Sequence, residues 1–306
     1  MNTLLTDLRY AVRMLLKTPA FTAIAVLALA LGIGANTAIF SVVNAVLLRP
    51  LPFQAPNELV WLWGTNPQSE IEKETASYPD FNDWRQQAQS FSGMAGFTNS
   101  SVILGGTDGE AERVRAGLAV GALFSVLGVE PVIGRKFLEE ENAEGKHRVV
   151  LLSHALWQRR FGGDPAVVGQ QITVSNNPHT IVGVLPPAFQ DPRPEQRLPM
   201  EMWLPLAVTE QMQQGRRSDF LNVVARLKPG AEMRQAQAEM TGIMARLEKQ
   251  YPNTNNGWGA IVESLHETMT GDVRPALLVL GGAVSVLLLI ACANVANLLL
   301  ARATAR

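Results

Sequence analysis

"ALALGIGANTAIFSVVNAVLLRPLPF", residues 28–53, decides the fold. It begins as a run fit for lipid, but Gly32, Gly34, Ser41, Asn36 and Asn44 interrupt it before prolines end it. The uncharged run to which it belongs spans 20–48. A second, "ALLVLGGAVSVLLLIACANVANLLL", spans 276–300. Each exceeds the roughly 20 residues that a helix needs to cross about 30 Å of hydrocarbon. A cleaved signal peptide has a much shorter apolar core and would leave the second run as an anchor. Both runs therefore read as transmembrane helices.

Orientation follows from the basic flanks. Arg9, Arg13 and Lys17 precede the first run and Arg302 and Arg306 follow the second, whereas Arg49 and Arg274 border the segment between them. Positive charge stays inside, so both termini (1–18 and 301–306) are expected in the cytoplasm and 49–274 outside it. Residues 1–18 read as an amphipathic helix on the inner membrane surface. Leu4, Leu5, Leu8, Val12, Leu15 and Leu16 recur at helical spacing beside a basic stripe of Arg9, Arg13 and Lys17 that suits anionic lipid. The same charges also serve as a plain topology signal.

Composition narrows the function. A net charge of −1 argues against a nucleic-acid partner, which calls for a basic face. Charged residues are 17% of the chain, against about 25% in a typical soluble domain. The lone cysteine, Cys292, lies in the second run, so no intramolecular disulfide can support the outer region.

That outer region alternates short strands and helices. "RVRAGLAV" reads as a strand and "GALFSVLG" as a short helix closed by Gly128; "RVVLLS" is a strand before the helical "HALWQRRFGG". "QQITVSNNPHTIVGVLP" reads as two strands turning at Asn176-Asn177-Pro178, and "FLNVVARLKPG" as a strand ending in a Pro-Gly turn. A helix follows with Met233, Ala236, Met240, Ile243, Met244 and Leu247 on one face, and then the strand "GWGAIVESL". "PPAFQDPRPEQRLP", 186–199, reads as a loop or an internal boundary. The order predicts an α+β domain whose helices cover one face of a mixed sheet.

No catalytic, cofactor-binding or metal-binding residue is predicted. His147, His154, His179 and His266 are far apart, lack ligand spacing, and read as surface or capping residues. "EEENAEG", 139–145, lacks the alternating ligands of a calcium loop and reads as a solvated acidic turn. No phosphate-cradling loop or nucleophile elbow is present in the sequence. The spans carry more information. Asn36 and Asn44 are answered by Asn294 and Asn297, and the small pairs Gly34/Ala38 and Gly281/Ser285 permit close approach. Amides are costly in hydrocarbon without a partner, so these residues are expected to face another helix; the alternative, which suits Asn44 and Asn297, is a polar residue tolerated near a span end.

The stretches "LRYAVRMLLKTPAFTAIAVLALALGIGANTAIFSVVNAVLLRPLPF", "SYPDFNDWR", "LGVEPVIGRKF", "LSHALWQRRFGGDPAVVGQQITV", "TIVGVLPPAF", "ARLKPGAEMRQAQAEM" and "LLIACANVANLLLARATAR" cover nearly the whole chain. Together they resemble the MacB/FtsX-type ABC transporter permeases, specifically the MacB-like periplasmic core domain with its flanking spans. The resemblance implies a porter-like subdomain (56–96 plus 220–268) split by an inserted subdomain (97–219). It implies a non-catalytic permease in the bacterial inner membrane that needs no cofactor and depends on a separate ABC ATPase. ATPase closure would then move the outer domain, in efflux or envelope export. It further implies a homodimer or pairing with another permease half, and an envelope adaptor protein as a partner. Relatives continue past the second span into a coupling segment and further spans. The chain ends at "ARATAR", so either a fragment, truncated or split from its partner half, or a degenerate permease is expected. The alternative from another class is a two-span scaffold that presents its outer domain to an envelope partner.

Overall fold

The computed structural model describes residues 6, 19–48, 51–105, 111–193, 198–271 and 273–304. Of the surface helix expected over 1–18, residue 6 is described and the rest, with Arg9, Arg13 and Lys17, lies outside the described residues, as does Arg306. Two compact units result: Pro50–Met269, and the flanking segments that hold the apolar helices.

The strands of the outer unit form one mixed sheet. Along the chain these are β1 (Leu59–Asn66), β2 (Ile71–Glu74), β3 (Ala76–Ser77), β4 (Phe91–Leu104), β5 (Glu112–Val120) and β6 (Ile133–Gly134). They continue as β7 (Val149–Leu152), β8 (Gln171–Val174), β9 (Asn177–Val184), β10 (Met202–Pro205), β11 (Asp219–Leu227) and β12 (Gly259–Ser264). The main path runs β12-β1-β11-β4-β5-β10-β7-β9-β6, with β2 on β1, β3 on β11, and β8 on β4 and β9. Only the β5/β10 and β7/β9 pairs are parallel among those described. β4 is long enough to serve two partners: Phe91–Phe97 pairs with β11 and Gly96–Leu104 with β5. The subdomain boundary expected at 97 therefore falls within a strand.

The helices of this unit are α2 (Tyr78–Gln87), α3 (Leu123–Leu127), α4 (His154–Phe161), α5 (Glu210–Gln214), α6 (Met233–Gln250), α7 (Pro252–Asn255) and α8 (Leu265–Thr270), numbered after the N-terminal α1. They do not all lie on one face as expected. β1 explains this, since Leu59, Val60, Trp61 and Leu62 are consecutive and all buried. Alternation sends Val60 and Leu62 to one face and Leu59 and Trp61 to the other, so both must be covered. On the first face α2 and α6 supply Phe81, Trp84, Ala236, Met240, Ile243, Met244 and Leu247. On the second, α3 supplies Leu123, Phe124 and Leu127, packed with Trp61, Phe97 and Trp203. A third cluster joins α4, through Leu156 and Trp157, to β7, β9 and β10. Each large apolar side chain so buried contributes about 1.5–3 kcal/mol. Met233, assigned to the inner face of α6, is instead 40% exposed because it opens the helix at the edge of the packed stripe.

Local chemistry sets the element ends. Ser77 caps α2: the Asp80 amide donates to Ser77 Oγ at 3.2 Å, and Ser77 Oγ donates to Asp80 Oδ2 at 2.7 Å. Ser153 caps α4 in the same way, accepting from the Leu156 amide at 3.1 Å. Gly128 (φ 68°) closes α3 in the left-handed region, as its sequence position predicts. The β8–β9 turn sits one residue earlier than expected, on Ser175 (φ 46°) and Asn176 (φ 67°). Val174 pairs with Asn177 in register, which leaves a two-residue loop with both φ positive and places Pro178 inside the strand.

The second unit is a helix pair. α1 (Pro19–Val43) continues as a π-helical turn, Asn44–Leu48, and α9 (Arg274–Thr304) packs against α1. Within α9, Arg274–Asn297 is long and apolar enough to cross a membrane; in α1 the described apolar stretch, Ala30–Val43, is shorter.

Candidate functional site

Asn36 is where the two apolar helices are chemically joined. Its Nδ2 donates to the Val284 carbonyl of α9 at 3.0 Å and to the Gly32 carbonyl of its own helix at 3.1 Å. Both amide protons are thereby satisfied, on a half-buried side chain opposite the buried Val284. Gly32 permits this closeness. A Cβ there would lie 3.1 Å from Leu288 Cδ1 and 3.7 Å from Ala291 Cβ. Gly281 faces Ile39, whose Cγ2 would be 4.0 Å from an added Cβ. Ser285 donates to the Gly281 carbonyl at 2.8 Å within α9. Gly34 has nothing within 4 Å of an added Cβ. Ala38, Asn44, Asn294 and Asn297 are exposed on this helix pair. The structure thus brings Asn36 and Gly281 to the interface. Asn36 is matched by a backbone carbonyl, not by a second asparagine. Gly32, not singled out by spacing, is the glycine in closest contact.

The outer unit has a second polar centre, at the N-terminal end of α2. Asp80 Oδ1 accepts from Arg216 Nη1 and from Asn255 Nδ2, each at 2.8 Å. Arg216 also pairs with Asp83, and its guanidinium stacks 3.7 Å from the Tyr251 ring centre. Asp219, at the start of β11, carries a different environment. Burial pushes its carboxyl up to about 6, reinforced by the negative charges of Asp80 and Glu74 and opposed by a backbone hydrogen bond from Ser77. At the sheet edge Glu263 shows the reverse. Against its burial, hydrogen bonds from Lys73, Thr268 and Trp63 hold it below the usual carboxylate range.

Two sequence expectations are corrected here. His179 is buried at 8% exposure, not on the surface; burial lowers its pKa, and Nδ1 lies 3.0 Å from the Asn177 carbonyl. The acidic turn at 139–145 is not simply solvated. Glu141 is buried because its carboxylate accepts from the Leu138 amide at 2.8 Å and from Arg135 Nη2 at 2.6 Å. Among the described residues, no group of three His, Cys, Asp or Glu is placed to hold a metal ion.

The class is an α+β sheet domain flanked in sequence by two apolar helices, one of which, over Arg274–Asn297, is long and apolar enough to cross a membrane. The chain belongs to the family of MacB-like periplasmic core domains, which it matches over residues 22–243. Among solved structures, the fold is similar to a domain of a putative permease protein from Porphyromonas gingivalis. The TM-score is 0.52 at 17% identity, covering 69% of this chain and 92% of that one. It is also similar to the periplasmic region of MacB from Actinobacillus actinomycetemcomitans, with a TM-score of 0.50 at 13% identity over 72% and 94% of the two chains. None of the curated proteins compared with it matches the chain.

Proposed function

We propose that the chain is a permease component of a MacB-type ABC transporter, set in the bacterial inner membrane with both termini cytoplasmic and its central domain periplasmic. It has no catalysis of its own. A separate ABC ATPase supplies the energy, and the helix pair α1/α9 carries the resulting movement to the outer domain for efflux or envelope export. The observation that carries this reading is the Asn36–Val284 hydrogen bond, which ties together apolar helices lying at either end of a MacB-like periplasmic core domain in the sequence. In this reading Asn44, Asn294, Asn297, Gly34, Ala38 and Ser285 face further helices, from a second copy or another permease half. Arg9, Arg13 and Lys17 hold the inner lipid surface, and an envelope adaptor meets the outer domain. Within that domain, 56–96 and 220–268 form the porter-like part and 97–219 the inserted part.

Cysteines at positions 39 and 281, in a Cys292→Ala background, test the proposal in membranes that also contain the host's nucleotide-binding proteins. The full chain is expected to co-purify with one of them, and the 39–281 crosslink to change in yield between ATP- and ADP-loaded states. A chain that captures no nucleotide-binding protein, with a crosslink indifferent to nucleotide, overturns the permease reading and favours the two-span scaffold.

A further inference from the structure

A cavity of about 500 Å³ opens among β3, α2, the start of β11 and the α7 segment. The residues that line it include Trp84, Trp258, Asp80, Arg216, Arg217 and Asp219. The two aspartates of the lining match its two arginines, and the neighbouring Asp83 and Glu74 tip the surroundings towards negative charge. Arg216 is committed to Asp80 and Asp83, and Arg217 turns to the Asn253 carbonyl. Asp219 accepts a backbone hydrogen bond from Ser77, and the negative charges of Asp80 on α2 and Glu74 on β2 act on its carboxylate. Among the described residues no Lys, Arg or His forms an ion pair with it.

We propose that this cavity binds an organic ammonium group, with Asp219 as its counter-ion and the Trp258 indole as its wall. A metal ion is the poorer occupant, because the described residues offer no set of three metal-ligating side chains here and a hard cation demands about six oxygen ligands. An ammonium needs only one close carboxylate, and an aromatic face adds to its attraction by the ring quadrupole. The volume admits an alkyl diamine or a single lysine side chain, not a folded partner. A bound cation also relieves the repulsion that Asp80 and Glu74 exert on Asp219. The site is built wholly from the outer domain and does not rest on the permease reading, so either can fail alone.

The test is calorimetric titration of the full chain in detergent micelles at low salt with 1,5-diaminopentane, with 1,5-pentanediol and glutarate as comparisons. Saturable binding is expected for the diamine alone at pH 7.5. Affinity should fall about tenfold at pH 5, where the raised Asp219 carboxyl is protonated, and at least tenfold in Asp219→Asn. Trp258→Leu should weaken binding at least threefold while thermal unfolding shows the chain still folded. Absence of saturable binding at millimolar diamine overturns the proposal, as does equal affinity in a folded Asp219→Asn chain. Equal binding of the diol also overturns it, since the cavity would then select on apolar surface alone. Should Asp219→Asn fail to fold, the pH series on the unaltered chain decides, and a pH-independent affinity refutes the proposal.

Discussion

Asp219 shows how one carboxylate acquires unusual properties from neighbours distant in sequence. Its folded pKa of about 6 stands above the ordinary 3.8, so the folded state holds the proton more tightly than the unfolded chain does. This group therefore favours folding below about pH 4, and that contribution is lost as pH rises through 6. Asp219→Asn removes the titration. The stability of the unaltered chain minus that of the variant should fall between pH 4 and 6 and level off above 7, as read by urea unfolding followed through tryptophan fluorescence. A difference that grows with pH would contradict the assignment. Gly117 offers a steric prediction at the same scale. The Trp203 ring lies so close that an added Cβ would sit 2.3 Å from Cε3. Gly117→Val should destabilise the outer domain by about 2–3 kcal/mol or more, because neither a strand backbone nor a buried indole can retreat. A denaturant midpoint unchanged from the parent would refute that packing. Neither residue was legible in advance: the carboxylate's neighbours come from β2 and α2, and the indole from β10.

At the scale of elements, legibility followed periodicity. α6 was readable because Ala236, Met240, Ile243, Met244 and Leu247 repeat at helical spacing, and all five are buried. β1 was not, since "LVWLW" has no alternation and a continuous apolar run is ambiguous between strand and helix. α2 has no clear sequence signature because Tyr78-Pro79-Asp80 looks like a turn, whereas it is a Ser77-capped first turn with proline near the N-terminus of the helix. In the helix pair the amides were visible in sequence, but the carbonyl that Asn36 meets has no side-chain signature. Asn36→Leu should weaken α1–α9 association by about 0.6–1.7 kcal/mol, the range of interhelical hydrogen bonds in membranes. Asn294→Leu, on an exposed position of this pair, should leave the 39–281 crosslink yield unchanged. Equal effects of the two substitutions would argue against the Asn36–Val284 bond as the tie.

At the scale of the whole outer domain, Arg226 gathers segments that are far apart in the chain. From β11 its Nε donates to the Val126 carbonyl at 2.9 Å, and Nη2 to the Gln54 carbonyl at 2.7 Å. Nη1 reaches Glu58 Oε2 at 3.0 Å and the Ala55 carbonyl at 3.2 Å. Arg226→Leu leaves those carbonyls and Glu58 without their donor, which should cost about 2–4 kcal/mol. For a domain of this size that is a fall in Tm of about 4–16 °C. A Tm within 2 °C of the parent would show that the entry segment 54–58 is held by its apolar contacts instead.

The sequence by itself determined the two long apolar runs, the α+β class, the amphipathic face of α6, the glycine stop of α3 and the family. Each of these is encoded by local composition, by period, or by motifs in fixed order. Only the tertiary structure decided that both sheet faces are covered, that Glu141 and His179 are buried, and which atom answers Asn36. It also decided that Asp219 stands among carboxylates beside a cavity. Those features depend on which residues meet after the chain has folded back on itself, and burial and charge act through distance in space, not separation along the chain.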